Sequence, residues 1–276
     1  MTINCKGQLI DLTTPRVMGI LNLTPDSFYD GGFYKQESAI LKQIERMLSE
    51  GATFIDIGAY SSRPNAIHIS EEEELKRLLP IVDLAVKNFP EILISIDTFR
   101  SKVALEAVEN GACMINDISA GKMDGNMMKT IAHLKVPYIM MHMQGTPQNM
   151  QQNVTYDNLI KDILFYFSER IALARSLGII DIIADPGFGF SKTRTQNFEL
   201  LNHLDLFRIL EMPILVGFSR KSMVYKTLNT TAENALNGTT VLNTIALQKN
   251  ANILRVHDVR EAIECISLSQ QLNFTP

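Results

Sequence analysis

Eight short apolar runs recur along the chain, each followed by a longer segment of mixed polarity, and this rhythm limits the possible folds more than any other feature. The runs lie at 16–22, 54–58, 92–98, 113–118, 138–142, 181–185, 214–219 and 253–257. They have strand length, and the first reads as a strand buried on both faces. Between them, 36–50 places Ile40, Ile44, Met47 and Leu48 on one helical face. Segment 71–87 follows Ser70, an N-cap residue with Glu73 three positions on. Segment 100–110 ends at Gly111, a C-cap signal. Segments 125–135, 156–177 (closed by Gly178), 195–210, 231–249 and 259–272 complete the helices.

Eight such pairs, with no linker rich in Gly, Ser or Pro, predict one domain over 1–276. The predicted architecture is α/β: a single (β/α)8 TIM barrel over 16–272. Lys6-Gly7, between two short β-prone arms, predicts an N-terminal hairpin within 1–14, packed against the barrel. A doubly wound open sheet is the alternative. It usually has fewer strands, and no GxGxxG follows the first run here.

The apolar content is 46% and the charged content 20%, which suits a soluble chain that buries a sizeable core. A formal net charge of −4 argues against a nucleic-acid partner, so an anionic ligand must meet a local group of cations. Cys5, Cys113 and Cys265 have no CxxC spacing and read as reduced, buried thiols. The chain shows neither a signal-peptide layout nor an apolar run near the roughly 20 residues of a membrane span. A cytoplasmic protein with no membrane partner is expected.

In a barrel of this kind, functional groups sit at the C-terminal ends of the strands and in the loops that follow. Those positions carry Asn22; Ser61, Ser62, Arg63 and Pro64; Asp97; Asn116 and Asp117; His142; Asp185 through Phe190; Ser219, Arg220 and Lys221; and Arg255, His257 and Asp258. Arg255 and His257 are two apart and so share a strand face. Arg63, Lys221, Arg255 and His257 form a cationic set suited to phosphate, pyrophosphate or carboxylate. Asp97, Asn116 and Asp185 can exchange hydrogen bonds with a flat, nitrogen-rich ring, and the carboxylates can offset positive charge developing on it. Asn22, a neutral oxygen donor, fits Mg²⁺, which keeps several waters and takes ligands from substrate phosphates.

Each residue also has a plainer reading. Asp97 or Asp185 alone could be a helix cap or turn residue. Asp56 and Asp117 are expected to make structural hydrogen bonds inside the rim, and Asp258 to cap the last helix. His142 reads as a satisfied core histidine, and His68, His133 and His203 as surface. Arg220 reads as part of a charged loop and 71–74 as a solvated acidic helix start. The coincidence of so many polar groups at successive strand ends is harder to explain this way than any single member.

The motifs GILNLTPDSFYDGG (19–32), DIGAYSSRP (56–64), SIDT (95–98), IND (115–117), MHMQGTPQNMQ (141–151), DPGFGFSK (185–192), GFSRKS (217–222) and RVHDV (255–259) occur in order at these ends. Together they resemble the dihydropteroate synthases of folate biosynthesis, a family of pterin-binding barrels, over nearly the whole chain. The resemblance implies a transferase joining 6-hydroxymethyl-7,8-dihydropterin diphosphate to 4-aminobenzoate, releasing 7,8-dihydropteroate and pyrophosphate. It implies Mg²⁺ as cofactor, sulfonamides as competitors, and a homodimer.

Carried over by position, Asp97, Asn116, Asp185 and Lys221 would hold the pterin, with Arg255 stacked on it. Asn22, Arg63, Arg255 and His257 would serve the pyrophosphate, with Asn22 on the metal. Ser62, Arg63, Pro64, Phe190, Ser219 and Lys221 would lie near aminobenzoate. Thr24, Pro25, Asp26, Ser27 and Phe28 would form a first loop that closes over that substrate. Asp97, Asp185, Lys221, Arg255 and His257 would be the catalytic set. The second loop departs from the common family pattern Gly-Gly-x-Ser-Thr-Arg-Pro-Gly, reading Gly58-Ala59-Tyr60-Ser61-Ser62-Arg63-Pro64-Asn65. Ser62 keeps the hydroxyl that threonine would offer.

The chemistry expected is a dissociative, SN1-like loss of diphosphate, followed by attack of the arylamine. Two other functions share parts of this pattern. A Schiff-base aldolase could use Lys221 but would leave the carboxylates without a role. A module presenting a methylated folate to a corrinoid protein would need the Asp and Asn positions but not the pyrophosphate cations.

Overall fold

A computed structural model describes residues 1–23, 33–61, 68–150, 152 and 154–272, without the side chains of 33–36. The hairpin pairs β1 (Thr2–Cys5) with β2 (Gln8–Asp11). Lys6 and Gly7, at φ +53° and +84°, make its turn. The barrel strands are β3 (Arg16–Asn22), β4 (Phe54–Gly58), β5 (Ile94–Asp97), β6 (Met114–Asp117), β7 (Tyr138–Met141), β8 (Ile182–Asp185), β9 (Leu215–Val216) and β10 (Ile253–Val256). All neighbours are parallel, in the order β8-β7-β6-β5-β4-β3-β10-β9. A bridge from Ala184 to Ile214 brings β8 to the start of β9 and closes the ring.

The helices are α1 (Phe33–Ser49), α2 (Glu71–Asn88), α3 (Ser101–Glu109), α4 (Met127–Leu134), α5 (Leu159–Ser176), α6 (Arg194–Asn202), α7 (Ser222–Tyr225), α8 (Leu236–Gln248) and α9 (Val259–Leu272). The expected (β/α)8 barrel is present, with one helix or more after every strand. Two helical segments differ from the expectation. The segment 195–210 ends as an α-helix at Asn202 and continues as a 3-10 turn, Leu204–Leu210. The segment 231–249 begins only at Leu236, and the short α7 precedes it. Ser70 caps α2 as expected, its hydroxyl accepting from Glu73 N.

Strand periodicity sorts the side chains. Val17, Ile55, Ile57, Ile96, Ile115, Ala184, Val216, Leu254 and Val256 point outward and pack with the helices in the main core. Met18, Phe54, Met114, Ile139, Ile183, Leu215 and Ile253 point inward near the strand starts. There Ile3, Cys5, Ile10 and Leu12 of the hairpin meet them and close the N-terminal mouth. The alternate inward positions two residues further on are free to carry chemistry.

Candidate active site

Those next inward positions include Asp56 on β4, Asp97 on β5, Asn116 on β6, Asp185 on β8 and Arg255 on β10, each on a different strand. The Arg255 guanidinium joins two of them. Its Nε donates to Asp56 Oδ2 at 2.6 Å and its Nη2 to Asp97 Oδ2 at 2.8 Å. Asn116 Nδ2 donates to the same Asp56 oxygen at 3.1 Å. Asp56 is thus a member of the site, at its floor, and its buried Oδ1 has no partner among the described residues. The sequence carried the signal in its spacing: Asp56 is two residues before Gly58, on the inward face of β4.

Burial raises the Asp97 carboxyl to about 7, against the pull of Arg255 and with a push from Asp56. Asp185 is raised by burial too, and Lys221 and a hydrogen bond from Gly187 N at 2.8 Å hold it back. Carboxylates whose ionisation burial opposes gain most from a ligand that carries, or develops, positive charge.

Lys221 stands beyond β9 with Nζ 2.5 Å from Phe188 O and 4.7 Å from the centre of the Phe190 ring. Burial lowers its ammonium to about 8, opposed by Asp185. Glycine suits position 189, where φ is +82° and a Cβ would crowd Lys221 Cδ at 3.0 Å. Gly187 is more constrained: a Cβ would lie 2.1 Å from the His142 carbonyl. Ser219 is buried, and its Oγ lies 2.9 Å from His257 Nδ1 and accepts from the His257 backbone N–H. Ser219 thus helps to orient His257.

Asn22 ends β3 with a half-buried side chain opposite Gly58. Among the described residues, no three His, Cys, Asp or Glu side chains gather as a metal cage. One amide oxygen at this strand end fits an ion that arrives with phosphate ligands and keeps its waters. Thr24, Pro25, Asp26, Ser27, Phe28, Ser62, Arg63 and Pro64 lie outside the described residues.

Several plainer readings hold. Asp117 faces outward and accepts from Tyr138, Ser119 and Gly121. His133 and His203 are exposed, as is His68, whose Nδ1 nevertheless lies 3.2 Å from Tyr60 OH. Arg220 is exposed in a charged loop, where it pairs with Asp258 at 2.9 Å. The acidic run at 71–74 is a correction. Glu74 is fully buried, where it accepts from Thr98 at 2.7 Å and forms an ion pair with Arg100. Arg100 also donates to Ile69 O and lies over Tyr60 and Phe99. Helical phase turned Glu74 toward the barrel while Glu71–Glu73 faced away, and only a partner on another element made that tolerable. Lys192, buried and not singled out by the sequence, is a second omission.

The chain matches the model of a family described as pterin binding enzyme over residues 18–257. It is 41% identical over 268 residues to the dihydropteroate synthase of Escherichia coli K12, covering 96% of this chain and 94% of that protein. It is 42% identical to the Haemophilus influenzae dihydropteroate synthase over 98% of both chains. The crystal structure of Yersinia pestis dihydropteroate synthase with a sulfonamide drug superposes with a TM-score of 0.92 at 41% identity, covering 99% of each chain. That of Xanthomonas albilineans dihydropteroate synthase with 4-aminobenzoic acid does so with 0.92 at 36% identity, covering 100% of this chain and 99% of that one.

Proposed function

This chain belongs to the pterin-binding enzyme family, and from that premise we propose that it carries out the dihydropteroate synthase reaction of folate biosynthesis. It would join 4-aminobenzoate to the methylene carbon of 6-hydroxymethyl-7,8-dihydropterin diphosphate and release pyrophosphate. The observation that carries this reading is the inward-facing polar layer of Asp56, Asn116 and Asp185, which are buried, with Asp97 and Arg255, which are partly exposed, at one mouth of an otherwise apolar barrel.

Asp97, Asn116 and Asp185 bind the edge of the pterin. As the carbon–oxygen bond to diphosphate breaks, positive charge spreads into the ring, and the two carboxylates stabilise it. Arg255 is held edge-on by Asp56 and Asp97, which leaves the flat face of its guanidinium to stack on the ring. That geometry favours its stacking role over direct binding of pyrophosphate. His257, fixed by Ser219, and Asn22 serve the departing diphosphate, with Arg63 assigned there by motif. Magnesium held at Asn22 would neutralise charge on that leaving group. Lys221 and Phe190 border the second substrate, where sulfonamides would compete.

Exposed apolar side chains on the outer helices, among them Leu236, Val241, Leu268 and Leu272, support a homodimer, which light scattering at two concentrations would test. No helix among the described residues is long and apolar enough to cross a membrane. The deciding experiment mixes purified protein with the pterin diphosphate and 4-aminobenzoate, with and without Mg²⁺, and follows pyrophosphate release. Release that needs both substrates and stops in excess chelator is expected. Release without aminobenzoate, or full activity in chelator, would overturn the reaction or the metal assignment respectively.

A further inference from the structure

The segment from Asp185 to Lys192 carries two groups of the site, Asp185 and Phe190, on backbone that is unusually bent. Gly187, Gly189 and Ser191 all have positive φ, at +75°, +82° and +44°. For serine this region is costly, so the segment needs outside support to keep its shape. Lys221 supplies part of that support from inside the barrel through Phe188 O.

Asn197 and Tyr156 hold Gly189 N and Ser191 O, and Lys192 ties the segment to β7. Its Nζ lies 3.0 Å from Gly187 O, 3.1 Å from Phe190 O and 3.1 Å from His142 Nδ1. His142 follows the end of β7 and faces outward, its ring 4.8 Å from that of Tyr166 on α5. Burial and the neighbouring Lys192 and Lys122 keep His142 neutral, and toward the protonated Lys192, which burial lowers to about 7 against the pull of Asp185, its Nδ1 is the acceptor. An ammonium has three N–H bonds, and here three acceptors meet them. Gly187 also reaches into the site, because its N–H donates to Asp185 Oδ1.

We propose that Lys192 is a positioning residue. Through the carbonyls of Gly187 and Phe190, with His142 as its third anchor, it sets the aim of the Asp185 carboxylate and the Phe190 ring. It touches no substrate. Arginine cannot replace it, since a planar guanidinium does not present three donors to converging acceptors.

The inference rests on the proposed synthase activity, and its test separates the two. Turnover and pterin affinity are measured for the parent, Lys192→Met, Asp185→Asn and the double variant, with the melting temperature of each. Lys192→Met should lose roughly tenfold to a hundredfold in kcat/KM, the scale of a small misplacement of a reacting group. In the Asp185→Asn background the same change should cost less than about threefold, because the group it aims is already impaired. An equal loss in both backgrounds, as a purely structural lysine would give, overturns the proposal, as does Lys192→Met within twofold of the parent. If Lys192→Met does not fold, His142→Leu carries the same cycle, since it removes one acceptor and leaves the lysine. Additivity there is equally fatal. A parent without turnover sinks the activity instead, and the cycle is then read in pterin affinity.

Discussion

Phe54, Ile139, Ile183 and Ile253 line one mouth of the barrel, while Asp56, Met141, Asp185 and Arg255 occupy the next inward positions on the same four strands. Two residues, about 6.6 Å along a strand, separate an apolar plug from a charged site. The hairpin residues Ile3 and Leu12 seal the first mouth. At the second, Asp56 Oδ1 has no partner among the described residues, and Asp97 and Lys221 are shifted from their ordinary pKa values by burial. One layer contributes stability, and the other spends some of it on chemistry.

If the two layers divide the work in this way, substitutions in each should leave different signatures. The largest effect on stability should come from Phe54→Ala, with a loss of about 3–5 kcal/mol in denaturant unfolding. Its KM values should stay near the parent's wherever the variant is folded. A comparable drop in kcat with little loss of stability would break the division.

Asp185→Asn should do the reverse, with kcat falling about a hundredfold or more while the melting temperature holds or rises. Near-normal turnover would remove the carboxylate from the mechanism.

A smaller effect is expected from pH. Asp97 must be ionised to stabilise the pterin cation, so kcat/KM should fall as pH drops through about 7. Lys221 must keep its proton, so it should fall again as pH rises through about 8. A profile flat from pH 6 to 9 would show that neither group controls the step.

The smallest effect belongs to the surface. Arg220→Ala breaks an exposed pair with Asp258 and should change stability by under about 1 kcal/mol. A larger loss would mean that the rim shares the stabilising role of the apolar layer.

The strands 16–22 and 54–58 and the helix 259–272 match the sequence reading residue for residue. Each is long, strongly patterned and flanked by clear turn or cap signals. Ile214–Ser219 was less legible, since only Leu215–Val216 pairs as strand and the rest bends to present Ser219 and Lys221. The helix break after Asn202 was not legible either, because the apolar pattern of 204–210 suits a 3-10 turn as well as an α-helix.

Local sequence therefore determined the eightfold alternation, the inward face of each strand and the residues offered at each strand end. It did so because strand period, helix period and caps act over a few neighbours. The partnerships were decided only by the tertiary structure. Arg255 reaches Asp56 across 199 residues and Asp97 across 158, Arg100 meets Glu74, and His142 meets Lys192 across 50. Ring closure brings these distant residues together, and burial then makes each charge depend on the partner it finds.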